Sequence, residues 1–121
     1  MMKIILLLTV FLSAAACCFA QKADTLKINT TQIGADVIGF NGPTPIEISV
    51  HMGVITNIKA LPNDETPAYL QLVLQSGLLE KLRGKPVKEA KKVRLDAVSG
   101  ATYTSEALIE NLKRGLENAG E

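Results

Sequence analysis

The sequence predicts an α+β fold, a small single domain with a β-hairpin-containing antiparallel sheet and two main helices. Two periodicities and two groups of breakers predict it. Ile46, Ile48 and Val50 alternate with Glu47, Ser49 and His51, the period-two pattern of a half-buried strand. Leu108, Leu112 and Leu116 recur at helical spacing near the C-terminus. Between them, Asn41-Gly42-Pro43-Thr44-Pro45 and Gly84-Lys85-Pro86 interrupt any regular element. The resulting order is β-ββ-α-β-α.

The chain opens with Lys3, an apolar run from Ile4 to Ala16 and then small residues, the order of a secretory signal. Cleavage after Ala20 makes Gln21 the first mature residue and directs the protein to the periplasm or outside the cell. A lipoprotein anchored at Cys17 ranks second, because Ala14-Ala15-Ala16 precede the cysteine without the usual leucine. An uncleaved anchor ranks third, since Ile4 to Ala20 sits at the lower edge of the roughly 17–25 residues that span a bilayer. No stable membrane span is expected after cleavage. The expected organisation is thus a signal peptide at 1–20, a polar leader at 21–34 and one domain at 35–121.

Of 13 basic and 12 acidic side chains, the signal removes Lys3, so the mature charge is close to zero and nucleic acid is not an expected partner. Both cysteines, Cys17 and Cys18, fall in the signal, which leaves no disulfide, haem-attachment or thiolate cluster site. His51 is the single histidine, so no metal site is expected. Redox chemistry would need an organic cofactor.

Taken in order, a first strand is expected over Ala35 to Phe40, with Phe40 in the core. The hairpin follows: Ile46 to His51, a turn at Met52-Gly53, and a return strand over Val54 to Leu61 in which Ile55 breaks the alternation. Thr66-Pro67 marks a helix start, as threonine is a good N-cap and proline is favoured at the first position. Leu70, Val73, Leu74 and Leu78 supply its apolar face, and Gly84-Lys85-Pro86 ends it. Val93, Leu95 and Ala97 alternate as a short strand leading to Ser99-Gly100-Ala101-Thr102, and the last helix follows. Lys81, Arg83, Lys85, Lys88, Lys91, Lys92 and Arg94 form a basic stretch; it reads either as a solvated face or as a docking patch for an acidic redox partner.

A strand, Ser-Gly-Ala-Thr and a helix form an arrangement with a use, because the free N–H groups and positive dipole end of a helix attract phosphate. Gly100 permits close approach, and Thr102, Thr104 and Ser105 add hydroxyls. An ordinary N-cap at Thr102 or Thr104 is the alternative reading, and spacing alone favours the cap.

At these residues the sequence resembles the FMN-binding domain family, which includes the covalently flavinylated subunits of sodium-translocating quinone reductases and related ion-pumping electron-transfer complexes. The family marker Asp-x-x-Ser/Thr-Gly-Ala-Ser/Thr is met by Asp96-Ala97-Val98-Ser99-Gly100-Ala101-Thr102, with Tyr103-Thr104-Ser105 after it. Gly39-Phe40-Asn41-Gly42-Pro43 and Glu65-Thr66-Pro67 resemble further family segments in the right order. The chain departs from the larger relatives after Glu-Thr-Pro, where Ala68-Tyr69-Leu70 replaces Gly-Leu-Gly.

The resemblance implies FMN held covalently by a phosphoester to Thr102 at the N-terminus of the last helix. Asp96, Ser99, Gly100, Ala101, Tyr103 and Thr104 would lie around it, with Glu65 and Thr66 on a loop near the flavin. Tyr69 and Tyr103 are candidates to flank the ring or are simply half-buried packing. Asp96 either positions the loop or accepts local N–H groups, and Glu65 is either near the flavin or solvated. No residue here is catalytic: a threonine hydroxyl is a poor nucleophile without a base, and none lies between Ser99 and Thr104. Attachment is implied to need a separate flavin transferase using FAD and Mg²⁺. The protein is then an electron carrier serving unidentified redox donor and acceptor proteins. The alternatives are a flavin-bearing component of a separate reductase and a secreted binding module without redox function.

Overall fold

A computed structural model describes residues 25–119. The expected signal peptide and its cleavage point lie outside the described residues. A three-stranded antiparallel sheet, in the order β1-β2-β3, is formed by Thr25–Asn29 (β1), Ile46–His51 (β2) and Val54–Ala60 (β3). Helix α1 spans Pro67–Gln75, a short α2 spans Val87–Ala90 and the long α3 spans Thr102–Asn118. The fold is α+β with two main helices.

The β2–β3 hairpin forms as its alternation requires, turning at Met52 (φ 52°) and Gly53 (φ 78°). Ser49 pairs with Asn57 and Val50 with Ile55, so Thr56 is an extra residue in β3. This bulge explains why Ile55 breaks the pattern: one inserted residue puts both Ile55 and Ile58 on the core face. The outer edge of β3 is covered by the segment at residues 84–87, whose Gly84 N–H donates to Ile55 O at 2.7 Å and whose Lys85 O accepts from Ile55 N–H at 2.9 Å.

Three expectations change. The first strand is Thr25–Asn29, inside the segment read as a polar leader, where Ile28 alone is buried. Residues 35–40 are not a strand. They are turns closed by the Gly39 N–H to Gly42 O bond at 2.8 Å and an isolated Ile38–Pro43 bridge, because Gly42 and the two prolines deny them a ladder. Helix α1 stops at Gln75, where Gly77 takes a left-handed φ of 83°. A 3₁₀ turn at Glu80–Leu82 and α2 fill the space up to Ala90. Residues 93–97 form neither strand nor helix. Val93 and Leu95 do alternate with exposed neighbours, yet they pack against the helical core instead of joining the sheet.

One core joins these elements. Ile46, Ile48, Ile55 and Ile58 of the sheet pack in one cluster with Val73, Leu82 and Leu108, Leu112 and Leu116 of α3. Each such fully buried side chain contributes about 1.5–3 kcal/mol. Helix α3 approaches the sheet closely at Gly115, where an added Cβ would lie 2.7 Å from Ile48 Cδ1. Arg114 also anchors it, donating to Ile33 O at 2.9 Å and to Asp36 Oδ1 at 2.6 Å. The core thus fixes α3 along its length and its N-terminus in space.

Candidate functional site

Helix α3 begins at Thr102 after Ala101, and no side chain caps it. The residue before Ala101 is Gly100 with φ 88°, a left-handed conformation that side chains disfavour. A Cβ at Gly100 would meet Leu72 Cδ1 alone, at 3.5 Å. The helix start therefore presents uncapped N–H groups and the positive end of a 17-residue dipole on an open approach.

Thr102 is exposed here, whereas Thr104 and Ser105 are buried. Thr104 is 1% exposed and donates to Glu65 Oε1 at 2.6 Å. Ser105 is fully buried, donating to Ala101 O at 2.6 Å and accepting from Val98 N–H at 3.0 Å. Neither Thr102 nor Thr104 is the N-cap, since that position belongs to Ala101.

A cleft of about 290 Å³ opens at this helix start, lined by Phe40, Tyr69 and residues 100–104. The domain's three aromatic side chains meet in it. Phe40 packs edge-on against Tyr69 with ring centroids 5.2 Å apart, and lies at 6.3 Å from Tyr103. Phe40 was expected in the core but is 51% exposed. It sits at the tip of a turn between Gly39 and Gly42-Pro43, and a turn tip has no core to enter.

Glu65 lies behind the cleft and is 5% exposed, which overturns the solvated reading. It accepts from Phe40 N–H at 2.8 Å, Asn41 N–H at 2.6 Å and the Thr104 hydroxyl. Burial pushes its pKa up, but the bonds from Thr104 and from the N–H groups of Phe40, Asn41 and Gly42 outweigh this and hold the carboxyl below the ordinary glutamate range. Thr66 occupies the N-cap position of α1 without a capping bond, and its hydroxyl accepts from Asn41 Nδ2 at 3.1 Å.

Of the residues singled out in the sequence, Gly100, Ala101, Thr102, Tyr103 and Thr104 converge on the cleft with Tyr69. Glu65 and Thr66 brace it. Ser99 is exposed beside it, and Asp96 is exposed and paired with Arg94 at 3.5 Å rather than with local N–H groups. Phe40 and Asn41 join the site beyond the residues assigned to it from the sequence, and the family-like Gly39-Phe40-Asn41-Gly42-Pro43 turn is the signal that carries them.

An uncapped helix start suits a phosphate, Gly100 leaves room for it, and an aromatic cleft beside both suits a flat ring. Fold and site together define a small α+β domain fitted to a phosphorylated aromatic cofactor. The model of the FMN-binding domain family matches residues 39–117, and the chain belongs to that family. The residues present fit FMN, and membership supports flavin binding with a role in electron transfer. Comparison with curated proteins finds no similar sequence.

Proposed function

We propose that the protein is an exported electron carrier holding FMN covalently through Thr102. The observation that carries the reading is the contrast among the three aliphatic hydroxyls of the helix start. Thr102 is exposed in the cleft, whereas Thr104 and Ser105 are buried with their hydroxyls already bonded. A transferase can reach only the first of them.

Bound FMN would supply a redox centre that the side chains of the described residues do not offer. Thr102 Oγ would carry the phosphate, and the first N–H groups of α3 would neutralise part of its charge. Phe40, Tyr69 and Tyr103 would wall the ring. Glu65, the nearest buried carboxylate, is committed to Thr104 and offers Thr102 no base, which supports attachment by a separate transferase. That reaction joins Thr102 Oγ to the FMN phosphorus of FAD, releases AMP and frees the hydroxyl proton, with Mg²⁺ on the transferase. Export rests on the n-region, h-region and small-residue cleavage pattern of residues 1–20.

The test is intact mass and visible spectrum of protein secreted by a host expressing a flavin transferase. A mass increased by FMN minus water on a chain starting at Gln21 is expected. Colourless, unmodified protein would overturn the flavin reading, and a lipidated Cys17 or intact Met1 would overturn the cleavage.

A further inference from the structure

The cleft has two walls drawn from distant parts of the chain, and one carboxylate joins them. The first wall is the turn carrying Phe40; the second is the start of α3. Glu65 Oε1 accepts from both, from Phe40 N–H and from the Thr104 hydroxyl, while Oε2 takes Asn41 N–H. Glu65 is itself aimed, since its N–H donates to Asn63 Oδ1 at 3.0 Å. Gly39 makes the approach possible, because a Cβ there would stand 2.4 Å from Glu65 Oε1. Three donors share this one buried carboxylate, and two of them are N–H groups of the turn, which adds charge-assisted bonds to its own Gly39–Gly42 bond.

We infer that Glu65 is a positioning residue for the flavin: acting through Phe40 and Thr104, it sets the spacing of the aromatic walls and hence how closely Tyr69 and Tyr103 face the ring. This rests on the reading of the cleft as the FMN site. Attachment at Thr102 does not depend on Glu65, since Thr102 has no bond to it. Loading and ring environment are therefore separable.

Close tyrosines quench flavin fluorescence, so the ratio of denatured to native fluorescence reports the walls. Glu65→Gln, Thr104→Val and Gly39→Ala would each be loaded by the transferase and compared with wild type at equal FMN mass. Glu65→Gln puts an amide NH₂ against N–H donors, Thr104→Val removes one bond, and Gly39→Ala displaces the carboxylate without altering it. A several-fold loss of quenching per bound FMN is expected in Glu65→Gln and Gly39→Ala, and a smaller loss in Thr104→Val. Should any of the three fail to fold, the remaining variants carry the same comparison. Loaded, folded variants with wild-type quenching would overturn the inference and leave the function standing. Wild-type protein that acquires no FMN would instead overturn the function.

Discussion

Thr102 and Thr104 stand two residues apart at the start of α3 in opposite surroundings: Thr102 faces the cleft, and Thr104 is buried with its hydroxyl on Glu65. Two hydroxyls that helix spacing alone does not tell apart are thus a candidate acceptor and a structural bond.

Thr102→Ala should abolish covalent FMN, and Thr102→Ser should keep part of it because the hydroxyl remains. Thr104→Ala and Ser105→Ala should still be modified where folded. Thr104→Ala removes a partner of the buried Glu65 and Ser105→Ala the partner of the part-buried Val98 N–H, at a cost of up to about 1–3 kcal/mol. Peptide mapping of denatured protein checks this. Covalent FMN on folded Thr102→Ala, or on Thr104 in wild type, would show a different acceptor.

Acid should loosen the cleft. Glu65 has its folded pKa held below the ordinary value of about 4.3, so its contribution to stability is complete above that value and is lost as pH falls through the folded value. Asp36 acts in the same direction through its hydrogen bond from Arg114. Thermal melts from about pH 7 down to about pH 3 should show wild type losing more stability than Glu65→Gln. Parallel curves for the two proteins would mean that Glu65 does not contribute this dependence.

The hairpin was legible because a strand with one buried face writes that face into every second residue, and α3 because its leucines recur at helical spacing. Strand β1 was not, since Ile28 is its one buried residue and Leu26 is 45% exposed. Residues 93–97 show the converse: Val93 and Leu95 alternate in and out, but a side-chain pattern does not say whether a neighbouring strand exists to complete a ladder. At the site, Thr102 and Gly100 could be read because a motif and a helix start coincide. The bracing by Glu65 could not, as it joins residues 25 and 39 positions away in sequence. Phe40 reads as core by its hydrophobicity, but Gly39 and Gly42 around it make it the tip of a turn.

Gly115 offers a test of packing apart from the cofactor. An added Cβ lies 2.7 Å from Ile48 Cδ1 and 3.2 Å from Thr30 Cγ2, and Ile48 is fully buried. Gly115→Val should cost about 1–3 kcal/mol by overpacking. Denaturant melts should show a lower midpoint, with FMN per folded molecule unchanged. Loss of FMN from folded Gly115→Val would mean that the fit of α3 on the sheet also sets the attachment site.

The basic stretch should govern the rate at which charged partners reach the flavin, not its loading. Lys88, Lys91 and Lys92 are exposed, and among the described residues none is in a salt bridge, whereas Arg83 and Arg94 pair with Glu80 and Asp96. Lys91 lies beside Ile109, Leu112 and Lys113 of α3, about 10–17 Å along the helix from Thr102 at 1.5 Å per residue. That is within the screening length of about 30 Å at 0.01 M salt and beyond the length of about 3 Å at 1 M. With all three lysines changed to glutamate, reoxidation of the reduced flavoprotein by anionic ferricyanide should slow several-fold at low salt. The difference should vanish at high salt, and a neutral quinone should react equally with both proteins. Equal ferricyanide rates at low salt would reduce the stretch to a solvated face, and an equal slowing with the quinone would trace the effect to the flavin site itself.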